Sequence, residues 1–147
     1  MLIYLDMCCL KRPFDDQSQP RIRLESEALL SLLALESEEV QFARSTALLL
    51  ENSLNPIAER AAKVETWLKS RPLWHPPDAA ALQAKTGVLM ALGLKNFDAL
   101  HMASADIAAA THFVTCDDRL LTIAKRNQMH IRPRVCALIE CGQELIK

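Results

Sequence analysis

Four consecutive apolar residues, Leu2-Ile3-Tyr4-Leu5, run straight into a carboxylate at Asp6, and the arrangement returns where His112-Phe113-Val114-Thr115 leads into Asp117-Asp118. Runs this short, without polar alternation, read as strands covered on both faces, which is the condition of a parallel sheet. Parallel strands need long crossovers, and the stretches between them carry helical spacing.

Residues 21–36 place Ile22, Leu29, Leu30, Leu32, Leu33 and Leu35 among charges, an amphipathic pattern. Ser45 is a fair N-cap for a helix over 46–54, and a second helix restarts at 57–69 after Asn55-Pro56. Further helices are predicted over about 78–92, 97–110 and 119–126, with a closing helix over 135–146. Residues 40–44 and, more weakly, 129–131 read as strands, residues 11–19 as a loop, and Leu73-Trp74-His75 as a short extended piece between prolines. Strands alternating with helices predict an α/β fold: a three-layer α/β/α sandwich with a central, mainly parallel sheet of four to five short strands. A length of 147 residues suits one domain over 1–147.

Several function classes drop out. Only Gly87, Gly93 and Gly142 are glycines, and no glycine-rich phosphate loop or G-x-S-x-G nucleophile elbow is present. Seventeen Lys and Arg face 18 Asp and Glu, so the chain is no polycation and any nucleic-acid contact must be local. No apolar stretch approaches a membrane span, and the opening residues lack the basic start of a signal peptide, so a cytoplasmic protein without membrane association is expected. Cys8, Cys9, Cys116, Cys136 and Cys141 form no C-x-x-C pair and have no histidine at zinc-site spacing; reduced, mostly buried thiols are the expectation.

Most carboxylates fall on the polar faces of helices. Asp6 and Asp117 instead follow buried strands, where open α/β sheets bind ligands. Asp98 shares a helix face with Met102 and Ala105, too apolar to face solvent, and Glu51 follows Ala47-Leu48-Leu49-Leu50 in a helix after the second strand. Asp98 also suits the first turn of its helix, Asp117 the N-cap of the next, and Glu51 a solvent-facing position; Asp6 has no helix to cap in this reading. If the four converge, their mutual repulsion calls for a cation, and hard oxygen ligands with room for water suit Mg²⁺ or Mn²⁺. Metal-assisted phosphodiester hydrolysis is the chemistry that fits.

The pieces Ile3-Tyr4-Leu5-Asp6, Glu51, Phe97-Asp98-Ala99-Leu100-His101-Met102-Ala103-Ser104-Ala105 and Val114-Thr115-Cys116-Asp117-Asp118-Arg119-Leu120-Leu121 resemble the PIN-domain family in order and spacing along essentially the whole chain. Chains of this size in that family are commonly toxin ribonucleases of the VapC-like type, paired with an antitoxin. The resemblance implies a sandwich in which Asp6, Glu51, Asp98 and Asp117 bind Mg²⁺ or Mn²⁺ and cleave RNA. Thr115 would orient the Asp117 carboxylate. Asp106 and Asp118 are extra acids with a weaker warrant. RNA and an antitoxin are the implied partners, and a homodimer is left open.

One departure stands out, because the family often has a hydroxyl or amide residue after the first Asp and here Met7 follows, a side chain unable to donate a hydrogen bond. The alternative is therefore a PIN-type RNA- or protein-binding module with little or no nuclease activity. An unrelated phosphoryl-transfer domain fits poorly, since Asp6-Met7-Cys8 lacks the second acid of an Asp-x-Asp motif. Residues 112–134 carry a surplus of three positive charges through Arg119, Lys125, Arg126, Arg132 and Arg134, and with Lys11, Arg12, Arg21 and Arg23 these are candidate phosphate contacts. His101 reads as a core or supporting histidine.

Overall fold

The computed structural model describes residues 1–71 and 78–146. The expected extended piece at Leu73-Trp74-His75 lies outside the described residues.

Strand β1 (Leu2–Leu5) has all four residues buried and pairs in parallel with β2 (Gln41–Phe42) on one side and β3 (His112–Thr115) on the other; β3 in turn pairs in parallel with β4 (Arg134–Ala137). The sheet order is β2-β1-β3-β4 and every pairing is parallel, so the expected central sheet has four strands. Burial of a whole strand, with its side chains alternating between faces, requires cover on both sides. Crossing from β1 to β2 and from β2 to β3 runs in opposite directions over the sheet, so right-handed crossovers carry their helices to opposite faces. The α/β class is thus observed, in an arrangement consistent with a three-layer sandwich.

Between β1 and β2 lie α1 (Met7–Lys11), a single 3₁₀ turn at Arg12–Phe14, and α2 (Pro20–Leu33); Pro20 sits in the first turn, where its missing N–H costs nothing. Helices α3 (Thr46–Ser53), α4 (Ala58–Lys69), α5 (Ala79–Ala91) and α6 (Asn96–Ile107) join β2 to β3. Helix α7 (Asp118–Arg126) joins β3 to β4, and α8 (Leu138–Leu145) follows and packs on α2. Ser45 caps α3 as expected, its hydroxyl accepting from Leu48 N at 3.0 Å.

Three expectations change. Residues 129–131 are not a strand: Gln128–His130 is a 3₁₀ turn. The closing helix begins only at Leu138, because 134–137 instead extends as β4 along β3 with Val135 opposite Phe113 and Cys136 opposite Val114. Helix α1 starts directly after Asp6, which therefore does have a helix to cap.

The core joins β1 and β3 to both helical layers. Tyr4 stacks on Phe113 across the strand pair at a centroid distance of 5.4 Å, and Ile3, Leu5, Leu32, Leu48, Leu68, Met102 and Leu120 are almost fully buried. Each large side chain so buried contributes about 1.5–3 kcal/mol relative to exposure. Gly93, at φ 108°, ends α5 in the left-handed region and turns the chain toward α6.

Candidate functional site

The strand order reverses at β1, so the loops leaving the C-terminal ends of the adjacent strands β1 and β3 diverge, and open α/β sheets form their binding crevice at such a point. A cleft of about 220 Å³ lies there, lined by Asp6, Met7, Cys8, Lys11, Arg12, Asp15, Glu51, Asp98 and Asp117. The four acids expected to converge therefore share one cleft, although they come from four separate elements.

Asp6 is buried at the strand end, and its backbone N–H still donates to Val114 O at 2.9 Å, which keeps it in register beside β3. Its Oδ1 accepts from Met7 N at 2.8 Å; its Oδ2 accepts from the Thr115 hydroxyl at 2.8 Å and from the Cys8 thiol at 3.4 Å. Thr115 thus orients Asp6 rather than the Asp117 carboxylate; toward Asp117 it only accepts, from the backbone N–H at 3.1 Å. The donor that Met7 cannot supply from its side chain comes from its own backbone and from Thr115. Met7 itself packs in the core.

Asp117 caps α7, Oδ1 accepting from Arg119 N at 2.9 Å and Leu120 N at 3.2 Å. The capping role expected as its plain structural reading is real, and the same residue still lines the cleft. Asp98 sits in the first turn of α6, half-buried. Glu51, from α3, accepts from His101 Nε2 at 3.2 Å.

Behind Glu51 runs a buried relay. Because a carboxylate only accepts, Nε2 carries the proton; His101 Nδ1 then accepts from the Tyr4 hydroxyl at 2.7 Å, and Tyr4 Oη accepts from Ser45 Oγ at 2.7 Å. Every polar atom along this chain has a partner, which a fully buried histidine requires. Burial pushes the Tyr4 hydroxyl well above its ordinary range, keeping it a donor. His101 is the supporting histidine the sequence suggested. Tyr4, read there only as a strand residue, is the link whose significance the sequence did not show; nothing in its spacing points to His101, 97 positions away.

The electrostatics are those of a site short of positive charge. Burial, and then the adjacent Cys8, push Asp6 well above the usual carboxylate range, while His101 and the Thr115 hydrogen bond oppose the shift. Asp98 is raised by burial and next by Asp117, with Glu51 adding to it. Such carboxylates gain from a nearby cation. Hard oxygen donors match Mg²⁺ or Mn²⁺ in kind. Among the described residues, however, the only three-residue group of Asp, Glu, His and Cys with ligand atoms all within 4.8 Å is Cys8, Cys9 and Cys116. No three of the acids among the described residues bring ligand oxygens within 4.8 Å of one another.

Asp106 and Asp118 stand apart. Asp118 is held by Arg21 in a two-pronged pair, both contacts 2.8 Å, and Asp106 pairs with Lys85 at 2.6 Å and Arg132 at 3.4 Å. Much of the expected basic surface is also engaged. Arg12 binds Asp15 and Glu25, Lys125 binds Glu140, and Arg134 binds Glu144. Lys11 remains at the cleft with no ion pair among the described residues.

Compared with protein-family models, with curated proteins and with solved structures, the chain matches none. No helix among the described residues is long and apolar enough to cross a membrane.

Proposed function

We propose that this chain is a Mg²⁺- or Mn²⁺-dependent endoribonuclease that hydrolyses RNA phosphodiester bonds. The observation that carries the reading is the shared cleft at the switch point of a parallel sheet, where Asp6, Glu51, Asp98 and Asp117 meet. When bound, the divalent cation supplies water activation and stabilises the charge on the leaving oxygen. Asp6 is the anchor, its two oxygens fixed by three donors so that the carboxylate is already oriented. Glu51 is aimed by His101, and Asp98 and Asp117 line the same cleft. Lys11 is placed to meet a phosphate at the rim.

The likeness to PIN domains supports RNA as the substrate and a toxin held by an antitoxin as the setting. That no three carboxylates among the described residues lie within 4.8 Å of one another favours the second reading, an RNA- or protein-binding module of this fold with little activity.

Cleavage of total RNA by the purified protein, with and without Mg²⁺ or Mn²⁺ and with Asp6→Asn and Asp98→Asn in parallel, tests the proposal. Metal-dependent cleavage lost in both variants is expected. Cleavage that persists in excess EDTA or survives both substitutions overturns it, and calorimetry that finds no metal binding at millimolar Mg²⁺ or Mn²⁺ selects the inactive module.

A further inference from the structure

Three thiols meet beside the acidic cleft, contributed by α1 and by the turn between β3 and α7. Cys8 and Cys9 are adjacent in the chain, Cys116 comes 107 residues after Cys9, and their three Sγ atoms lie within 4.8 Å of one another. Cys9 Sγ and Cys116 Sγ are 3.7 Å apart. Sulfurs around a tetrahedral zinc, with Zn–S of about 2.3 Å, sit about 3.8 Å apart, so this pair already has the separation such an ion imposes.

Two contacts hold the sulfurs and their turn in place. The Cys116 backbone N–H donates to Cys8 Sγ at 3.2 Å, and outer contacts of this type fix and stabilise a metal-bound sulfur. Arg21 is tied to the turn itself by donating to Cys116 O at 3.2 Å. The buried Glu25 carboxylate is engaged by Arg12 at 3.1 Å and Arg21 at 3.5 Å, so the fourth position is left to water entering from the cleft. Cys8 is half-buried and lines the cleft, which gives an ion a way in. Cys8 Sγ also donates to Asp6 Oδ2 at 3.4 Å, a bond that a metal-bound thiolate gives up, so an ion here removes one of the three donors that orient Asp6.

We propose that Cys8, Cys9 and Cys116 form a three-thiolate binding site for a borderline-soft divalent cation of the Zn²⁺ class, separate from the hard-cation site formed by the carboxylates. Three sulfur donors favour Zn²⁺ over Mg²⁺ by ligand type, so the two sites sort different ions although they share a wall. The proposal stands whether or not the cleft is a nuclease.

The experiment is an anaerobic titration of the reduced 147-residue chain with Zn²⁺ against a chromophoric chelator, repeated with Co²⁺ as a spectroscopic stand-in. Expected are one tight Zn²⁺ per chain and, with Co²⁺, intense thiolate-to-metal charge transfer together with tetrahedral d–d bands. Cys8→Ser, chosen because its side chain is only half-buried, and Cys116→Ser should each weaken binding about tenfold or more, while Asp98→Asn should leave it unchanged. Circular dichroism of both serine variants establishes that they are folded. No tight Zn²⁺ binding, a purely octahedral Co²⁺ spectrum, or an affinity indifferent to both cysteine substitutions overturns the proposal and leaves the trio as packing.

Discussion

The Thr115 hydroxyl donates to Asp6 Oδ2 at 2.8 Å, joining the C-terminal ends of β1 and β3 across 109 positions of sequence. Thr115 Oγ1 also accepts from the Asp117 backbone N–H at 3.1 Å, so one buried side chain holds the strand-end acid and begins the turn that presents the next one. Position and chemistry are coupled here: the parallel pairing of β1 with β3 makes the contact, and the contact orients the carboxylate.

Thr115→Val keeps the shape of the side chain and removes both bonds. It leaves Asp6 Oδ2 with only the weak Cys8 thiol donor and the Asp117 N–H without its partner, a loss of about 1–3 kcal/mol of stability in urea denaturation. RNA cleavage should fall at least about tenfold, as is usual when a ligand's supporting contact is removed, with Thr115→Ser restoring most of it. Equal activity in the Val variant would show that Asp6 needs no such support.

Tyr4→Phe severs the relay behind Glu51 at its middle. His101 Nδ1 then loses its partner inside the core and the half-buried Ser45 Oγ loses one at its edge, at a cost of about 1–3 kcal/mol. Because Nε2 can still donate to Glu51, cleavage should drop less than in Glu51→Gln, which removes the carboxylate itself. Comparison of kcat and KM for the two variants separates support from direct participation.

Asp118 and Asp106 are acids whose counterions are already supplied by Arg21 and by Lys85 with Arg132. Asp118→Asn and Asp106→Asn should therefore cleave RNA within about twofold of the parent, whereas Asp98→Asn should not. Both Arg21 and Asp118 are largely exposed, and pairs of that kind contribute little to stability. A Mg²⁺-dependence altered by Asp118→Asn would bring this residue into the metal site.

The acids at the ends of β1 and β3 were legible because a buried strand announces itself as a short apolar run and the following residue is forced to the sheet edge. Most helices were legible to within a few residues for a related reason, local periodicity; α3, for instance, begins where Ser45 caps it. Strand β4 was not, since Val135-Cys136-Ala137 has no period long enough to distinguish strand from helix, and only pairing with β3 decides it. Helix α1 is five residues long, too short for any periodicity, so the cap on Asp6 stayed hidden. The relay through Tyr4 and the meeting of Cys9 with Cys116 depend on contacts about a hundred positions apart, which one-dimensional spacing does not encode.

Two backbone positions carry opposite expectations. Gly87 lies exposed inside α5, where an added Cβ meets nothing within 4 Å, so Gly87→Ala should stabilise by about 0.5–1 kcal/mol. Ala109, just beyond α6, has φ 57°, a left-handed conformation that glycine adopts without penalty. Ala109→Gly should therefore be neutral or stabilising despite the flexibility it adds to the unfolded chain. Thermal unfolding of the two variants checks both signs.

The sharpest test of the acidic cleft is its stability as a function of pH. Asp6 and Asp98 are raised above the ordinary carboxylate range, Asp6 mainly by burial and then by Cys8, Asp98 by burial and then by Asp117. In the interval between the unfolded carboxylate value and the raised native one, the folded chain holds protons that the unfolded chain has released. Their contribution to stability is complete below the unfolded value and is lost as pH climbs through the native one. Asp118 and Asp16, lowered by hydrogen bonding to Arg21 and Ser18, act in the opposite sense, so the informative quantity is the difference between parent and Asp6→Asn, in which they cancel. Metal-free Asp6→Asn should unfold a few degrees above the parent near neutral pH, with the gap closing toward about pH 4. Saturating Mg²⁺ should reverse the order: an ion that binds only the folded state adds about 2.7 kcal/mol at a hundred times its Kd, and the variant lacks the charge that holds it. Calorimetric scans of both proteins across pH, with and without Mg²⁺, measure this. A parent that Mg²⁺ stabilises no more than Asp6→Asn would remove Asp6 from any metal site.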